Sequence, residues 1–543
     1  MGVVLATQSE NPSGDSGSLY VRRSSGLVRA VSSRQALIAN LVSMGIMGPM
    51  LYVWFAVLTA PNADIPLTTL LGLVIVLMVG FVYWMLSTSM PRTGGDYVWV
   101  SRILHPFVGF LESSMLLFVM ISSFVAYDIV LAVQYGFSYM FINFGFLSAD
   151  QGLIDIGTTL MSDQTWLLVT SLAITALVVG VMLMPIKRVV NVLVGSFFVM
   201  VAIFALYIGL LLTTGNAGFI ANFNAHSGTT YQDVLNSATP GAFNFTLNGT
   251  LFLGLIFVML SYIGLVNSSY FAGEVSGNPF RAQGIAIFGS PLIYGAFIFV
   301  IYFSQFTVYG HDFLAAAASS GAALMPVGGV GYPSGVFLVN FLTTNPWISG
   351  LVAFGMGLQL VVWSMAFYLA PTRYIFSWSF DRILPLGLSK TSKRGVPYYA
   401  VLLYGLVTVV FVILTIYRKE ITAFYVYAIF GFYFSTTIVM VAGALFPFRR
   451  KEIFEASHRY VKAKIGPIPV ITIVGIVGAI FTTITAVSAV IPAYTHQAQF
   501  DWVAFSPILI MLVFATVVYW GSYVYQKGHG LPVELVGKQI PPL

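Results

Sequence analysis

Long apolar segments, separated by short polar connections, repeat along almost the whole chain of 543 residues. A helix needs roughly 20 apolar residues to cross about 30 Å of hydrocarbon. The pattern predicts twelve membrane-spanning helices, which we number spans 1 to 12 in chain order. Their predicted ranges are residues 36–60, 67–86, 106–141, 166–184, 190–212, 248–271, 284–309, 347–375, 398–417, 421–446, 469–491 and 502–525.

Span 1 carries helix-breaking residues near its middle. Gly45 and Gly48 flank Ile46 and Met47, and Pro49 follows. Glycine loses more backbone entropy than any other residue on becoming helical, and proline removes a hydrogen-bond donor. Unpaired backbone at membrane depth is tolerated only beside a cavity or a ligand. The interruption therefore predicts either a binding site or an ordinary proline kink.

Span 6 carries a comparable interruption. Gly264 lies in mid-span and is followed by Asn267, Ser268 and Ser269. Serine and asparagine also bond to carbonyls inside continuous helices, so this run alone does not decide between the two readings. Two five-helix repeats in opposite orientation would place interruptions in spans 1 and 6, and such a pair is typical of a transporter's substrate site.

Composition is that of a polytopic membrane protein. Hydrophobic residues make up 58% of the chain and charged residues 8%, against about 45–50% and 25% in soluble domains. The lack of cysteine excludes disulfides and thiolate metal sites. The histidines lie in connections or at span ends, so no pair is placed to hold haem or copper inside a span. The sequence also shows no filter motif of a channel.

Lysine and arginine predict the orientation. Of the 24 basic residues, only Arg418 and Lys419 fall on the second side of the predicted membrane. By the positive-inside rule both termini are cytoplasmic. We expect a multi-pass protein of the cell membrane that contacts lipid and no nucleic acid. Among the connections on the other side, residues 310–346 are long for a structureless loop and predict a helical cap over an external mouth.

Three motifs resemble those of the amino acid, polyamine and organocation (APC) transporter superfamily. Residues 90–102, MPRTGGDYVWVSR, are similar to its Pro-x-x-Gly-Gly-x-Tyr connection. Residues 273–281 are similar to its Gly-Glu-x-x-x-Pro segment after helix 6, and residues 372–385 to its Arg-rich end of helix 8. The motifs occur in the right order on the predicted cytoplasmic side, and the resemblance covers about residues 33–491.

The resemblance implies an amino acid permease with an all-α fold. That fold has a 5+5 inverted repeat with discontinuous helices 1 and 6, plus two extra C-terminal helices. The expected divisions are a flexible N-terminal tail (1–31), the first repeat (32–215), the second repeat (216–447), spans 11 and 12 (448–526) and a C-terminal tail (527–543).

The two interruptions predict the chemistry of the substrate. The outer half of helix 1 would begin with free N–H groups that suit a carboxylate, while carbonyls ending the inner halves would accept protons from an ammonium. An α-amino acid carries both groups. By resemblance, the carboxylate lies near Gly45 to Gly48 and the ammonium near Met44 and residues 260–263. The predicted binding residues are Ser43, Met44, Gly45, Ile46, Met47, Gly48, Ser122, Ser123, Leu260, Ser261, Tyr262, Ile263, Gly264 and Trp363.

Departures from the family pattern bear on specificity and coupling. Leu260 stands where the family often has an aromatic gate, and Ile263 where it has a small residue, so we expect small or medium neutral substrates. Glu112 and Asp128 lie within span 3, where a carboxylate is a functional candidate by default; each carries a proton or is simply paired. Ser364 in span 8, without an adjoining Ser or Thr, is a weaker basis for a sodium site. We expect proton coupling, and no metal or organic cofactor.

The connections that carry the three motifs predict a gate at the cytoplasmic ends of the helices. The residues concerned are Gly94, Gly95, Tyr97, Glu274 and Arg373, and the alternative is that they only hold the helices together. The chain is thus expected to be a secondary active transporter of amino acids and not an enzyme. Transport of a polyamine or other organic cation, and a non-transporting sensor or complex subunit on the same fold, are the alternatives. The sequence does not predict the oligomeric state.

Overall fold

Within the described residues, twelve helical segments are long and apolar enough to cross a membrane when the bent pair in span 6 is counted as one. The all-α polytopic fold predicted from the sequence is confirmed. The spans are Ser33–Thr59, Ile65–Ser89, Pro106–Ser148, Gln164–Met182, Ile186–His226, Gly249–Ser261 with Ile263–Tyr270, Pro279–Ser319, Pro346–Phe380, Tyr398–Tyr417, Ala428–Arg449, Val470–Ser488 and Trp502–Gly528.

The structure is a computed structural model that describes residues 27–238, 242–320, 334–418, 427–491 and 499–530. Most of the predicted N-terminal tail (1–26), Lys419 and nearly all of the predicted C-terminal tail lie outside the described residues. The last residues of the predicted N-terminal tail are hydrogen-bonded. The Val31 N–H donates to the Glu274 carbonyl at 3.1 Å, and Val31 in turn accepts from the Ser276 N–H at 2.8 Å. The segment entering span 1 is therefore tied to the segment leaving span 6.

Spans 3 and 5 are longer than their apolar patterns predict. Span 5 continues to His226 because Gly215, with φ of +62°, turns the chain into a further helical stretch. Asn216 in that stretch donates to the Val308 carbonyl at 2.9 Å. The extension was missed because its polar residues lack the hydrophobic run used to define a span. A two-stranded hairpin, β1 (Lys464–Ile465) and β2 (Ile468–Pro469), joins spans 10 and 11.

The long connections on one face of the bundle contain short helices. The segment predicted as a cap, residues 310–346, contains helices His311–Ser320 and Gly335–Leu338, while residues 321–333 lie outside the described part. A side chain added at Gly335 would meet the Met50 carbonyl at 3.1 Å, so this segment covers the outer half of span 1. Its helical character is as predicted for the residues described.

The opposite face carries the 2–3, 6–7 and 8–9 connections, and we call it the basic face because Arg102, Arg281 and Arg382 belong to them. A short helix, Gly95–Ile103, lies there between spans 2 and 3 and is buried. Spans 1, 3 and 8 are the most deeply buried spans, whereas spans 4 and 12 are largely exposed on the outside. The interrupted span 1 therefore lies in the core of the bundle.

Candidate functional site

Span 1 is interrupted where the sequence predicts it. Its inner half, Ser33–Met44, ends at Gly45, which has φ of +80° and donates its N–H to the Val42 carbonyl at 3.1 Å. The outer half begins at Gly48 with Pro49 in its first turn, where a missing N–H does no harm. A Cβ on Gly45 would lie 3.2 Å from the Trp363 indole. Glycine thus supplies both the left-handed conformation and the space that span 8 fills.

Span 6 is interrupted at the level of the break in span 1. Its first helix ends at Ser261, Tyr262 is not helical, and a 3-10 turn over Ile263–Val266 bends the span by 45°. A side chain at Gly264 would overlap the Ser43 carbonyl. The backbones of the two interruptions are therefore in direct contact. Only a glycine at position 264 permits so close an approach.

Two side chains of span 8 bind the backbone of the break. The Gln359 Oε1 accepts a hydrogen bond from the Met47 N–H at 3.3 Å, at the start of the outer half-helix. One helical turn further on, the Trp363 indole N–H donates to the Ser43 carbonyl, at the end of the inner half-helix. The break therefore presents the Met47 N–H donor at one end and the Ser43 carbonyl acceptor at the other. The Gln359 oxygen binds the donor, and the Trp363 indole N–H binds the acceptor.

A network of buried amides joins the inner halves of spans 1 and 6. Asn40 donates to the Leu265 carbonyl at 2.7 Å and accepts from the Ser268 N–H at 2.7 Å. Asn267 donates to the Ser43 hydroxyl at 2.7 Å. These bonds hold the two inner halves together in a fixed relation. Sequence reasoning used Asn267 and Ser268 but missed Asn40 and Gln359, although a polar residue inside an apolar span marks each.

The predicted wall residues do not all face the break. The Tyr262 hydroxyl donates to the Thr69 carbonyl at 2.8 Å, so this ring packs on span 2. Ser122 and Ser123 lie in a π-helical stretch, Met120–Val125, where the Ser122 hydroxyl donates to its own helix. Phe124 in that stretch lies beside Trp363, with ring centroids 6.4 Å apart. Ser43, Met44, Ile46, Met47, Gly48 and Ile263 are buried at the contact of the two breaks, and Leu260 and Ser261 are partly buried at the end of the first helix of span 6.

The coupling candidates occupy two kinds of environment. The carboxylates of Glu112 and Asp128 are buried, and neither has a hydrogen-bond partner among the described residues. The Ser364 hydroxyl, in contrast, donates to main-chain carbonyls, including that of Val125 at 3.2 Å. No group of three or more metal-ligating side chains occurs in the described part of the chain.

The Gly-Gly turn after span 2 fits closely under the ends of spans 6 and 8. Gly94 and Gly95 have φ of +97° and +45°. The Gly94 N–H donates to the Tyr270 carbonyl at 2.8 Å, and a side chain at Gly94 would overlap the Ser377 hydroxyl. The predicted tight bend is present, and its glycines are required both by conformation and by contact.

Two buried ion pairs lie beside this turn. Arg373 donates to both oxygens of Glu274 at 3.0 Å, so two of the predicted gate residues bind each other. Arg102 contacts Asp381 at 2.7 Å, and the Tyr97 hydroxyl donates to the same carboxylate at 2.7 Å. The second pair was not predicted, although both partners lie within the quoted motifs. Together the pairs fasten the 6–7 connection to span 8 and the 2–3 connection to the residue that follows span 8.

Asp96 is buried in the same layer, and no basic side chain among the described residues forms an ion pair with it. Its carboxylate accepts hydrogen bonds from the Tyr83 hydroxyl at 3.1 Å and from the Tyr374 hydroxyl, and one oxygen also accepts from the Tyr97 N–H at 2.8 Å. Burial raises the pKa of Asp96 to about 7 although these bonds act in the opposite direction. Asp96 is therefore a titrating group within the closed basic face.

Comparison with known proteins bears directly on this arrangement. No curated protein matches the chain. Over residues 35–514, however, the chain matches the model of a family described as amino acid permease. This range contains both interrupted spans and all three motifs. The chain therefore belongs to the amino acid permease family of the APC superfamily.

Proposed function

We propose that this permease moves small or medium neutral α-amino acids across the cell membrane by alternating access, driven by protons. The observation that carries the proposal is the polarity of the break in span 1. The Met47 N–H and the Ser43 carbonyl, already bound by an amide oxygen and an indole N–H, match a carboxylate and an ammonium. A polyamine has no carboxylate to bind at the N–H end of the break, which favours an amino acid.

The size of the side chain follows from the residues around the second break. Ile263 is buried directly before Gly264, and Leu260 lies just before the bend. A branched side chain at position 263 takes the volume that a large substrate would need. This supports alanine, serine and leucine as substrates over arginine and tryptophan.

Proton coupling is proposed for Asp128, with Glu112 as the second candidate. An ionised carboxylate without a partner in a low-dielectric interior is strongly destabilised. Because neither group has a partner among the described residues, each is suited to hold a proton in this conformation. Release would follow when the surroundings hydrate during the transport cycle.

The basic face is proposed to be the cytoplasmic face, with both termini on that side. Its ion pairs, Glu274–Arg373 and Arg102–Asp381, then close the cytoplasmic path in this conformation. Interruptions five spans apart support the inverted repeat, in which residues 32–215 and 216–447 are related by a pseudo-two-fold axis in the membrane plane.

Flux measurements test the proposal. The purified protein in proteoliposomes is given labelled alanine, serine, leucine, arginine and tryptophan while pH and sodium gradients are set independently. We expect accumulation of the first three with an inwardly directed proton gradient and without sodium. Binding without flux would contradict transport, and strong uptake of arginine or tryptophan with little alanine would contradict the substrate class.

A further inference from the structure

Gln359 is a fully buried amide in the middle of span 8, and only one of its two polar side-chain atoms has a hydrogen-bond partner among the described residues. Its Oε1 accepts from the Met47 N–H at 3.3 Å. Its Nε2 has no acceptor among the described residues. A buried donor without a partner is destabilising and is rare in folded proteins. Such a group in the wall of a transport site points to an acceptor that arrives with a ligand.

The orientation of this amide follows from its partner. The oxygen and nitrogen of a glutamine are distinguished by their hydrogen bonds. A main-chain N–H only donates, so the group facing Met47 must be the oxygen and Nε2 must face elsewhere. Nε2 lies 3.5 Å from the place that a Cβ would take on Gly45. The free donor thus lies beside the residue at which span 1 is interrupted.

Gln359 and Trp363 lie at different positions along span 8, beside the two ends of the break and hence of the proposed substrate. Trp363, one turn from Gln359, binds the Ser43 carbonyl, at the end that suits an ammonium. Gln359 lies at the other end, where the outer half-helix offers its N–H groups. An ammonium has no lone pair to accept from Nε2, whereas a carboxylate has two oxygens that accept several bonds.

We propose that Gln359 is a specificity-determining residue that recognises the substrate's carboxylate through its Nε2 donor. This rests on the proposed function, because it names the side chain that adds to the main-chain donors of the break. A neutral amide performs this task without leaving a cation buried and unpaired in the empty protein. Gln359 thereby favours amino acids over analogues whose carboxylate is replaced by an uncharged group.

The test compares an amino acid with its α-amide as inhibitors of labelled alanine uptake in proteoliposomes. Gln359→Met keeps the length of the side chain but removes its donor and its acceptor. A hydrogen bond to a charged group contributes enough that its loss should weaken inhibition by the acid about 10- to 100-fold. Inhibition by the amide should change by less than about 3-fold, since its oxygen is uncharged. A merely structural role would weaken both alike.

Gln134→Met is the matched control. Gln134 is a partly buried glutamine of span 3 whose Nε2 donates to the Met161 carbonyl at 3.4 Å, and it takes no part in the break. This variant should keep the wild-type ratio of acid to amide. A ratio that fell equally in both variants would overturn the role of Gln359.

Gln359→Glu provides a second, independent reading if the methionine variant does not reach the membrane. It keeps the shape and the acceptor for Met47, and its carboxyl group is a donor when protonated and a negative charge when ionised. The preference for the acid over the amide should therefore become pH-dependent and should fall below the wild-type value as the pH rises. Wild-type selectivity in both Gln359 variants would refute the inference alone. A wild-type protein that moves no amino acid would refute the proposed function instead.

Discussion

Replacing Glu274 by glutamine should open the basic face of this permease. The Glu274–Arg373 pair consists of two hydrogen bonds of 3.0 Å, and the side chains are 0% and 6% exposed. Removing one partner leaves the other charge buried and uncompensated, which costs about 3–5 kcal/mol. If this cost falls on the closed conformation alone, it changes the equilibrium between closed and open forms by roughly 10²- to 5 × 10³-fold.

The chain contains no cysteine, which makes this opening measurable. Ser269 is fully buried, and a Cβ on Gly95 would lie 3.1 Å from the Ser269 carbonyl, so this position lies directly behind the Gly-Gly turn. A membrane-impermeant maleimide applied from the basic face should label Ser269→Cys slowly in the parent. In the Glu274→Gln background the same cysteine should be labelled at least about 10-fold faster.

Two further variants separate charge from bulk. Glu452→Gln changes an exposed carboxylate on the same face and should leave the labelling rate unchanged. The double variant Glu274→Leu with Arg373→Leu removes both charges, which is often neutral for a buried pair, so labelling should return towards the parental rate. Parental labelling in Glu274→Gln would refute the reasoning, and so would a double variant labelled as fast as the single one.

Four further outcomes are expected. Gly45→Ala should abolish uptake, because φ of +80° costs a non-glycine residue about 1–2 kcal/mol and the new Cβ would lie 3.2 Å from the Trp363 indole. Gly209→Ala is the control, since a Cβ at Gly209 would meet no atom within 4 Å. Asp128→Asn should lose accumulation driven by a pH gradient while keeping exchange across equal pH, and unchanged pH-driven uptake would remove Asp128 from coupling. Ile263→Ala should admit tryptophan as an inhibitor of alanine uptake, which unaltered selectivity would contradict. Since the Asp96 pKa is raised from 3.8 to about 7, the stability it contributes is complete below about pH 4 and is lost as the pH rises through about 7. Asp96→Asn should therefore flatten thermal stability between those values, and a wild-type slope in that variant would contradict the assignment.

Local features of the sequence were sufficient to predict the number and the order of the membrane-spanning helices. The length of each apolar run indicates the length of the helix that it forms. Gly45 and Pro49 disfavour a continuous helix whatever residues pack around them. The helical ranges consequently agree with the structure for spans 9 and 12 at their starts, Tyr398 and Trp502. Glu274 and Arg373 could both be assigned to the motifs of the predicted cytoplasmic side, although their pairing was not predicted.

Contacts between segments that are distant along the chain could not be predicted from the sequence. Gln359 and the break it binds are separated by 312 positions along the chain, and no spacing rule relates them. The direction of Tyr262 was also hidden, because the bend begins at this residue and turns its ring towards Thr69. Helices of the face opposite the basic one, such as Gln151–Ser162, were missed because only runs long and apolar enough to cross a membrane were assigned as helices.

Span 8 is the element that relates the break to the basic face. It binds both ends of the interruption through Gln359 and Trp363, and it holds Glu274 through Arg373. At 1.5 Å per residue, Gln359 and Arg373 lie about 21 Å apart on one helix. In the proposed function, a substrate ammonium that replaced the Trp363 indole at the Ser43 carbonyl would act on the same helix that holds Glu274. Occupancy of the break and closure of the basic face would then be coupled through span 8, as the proposed alternating access requires.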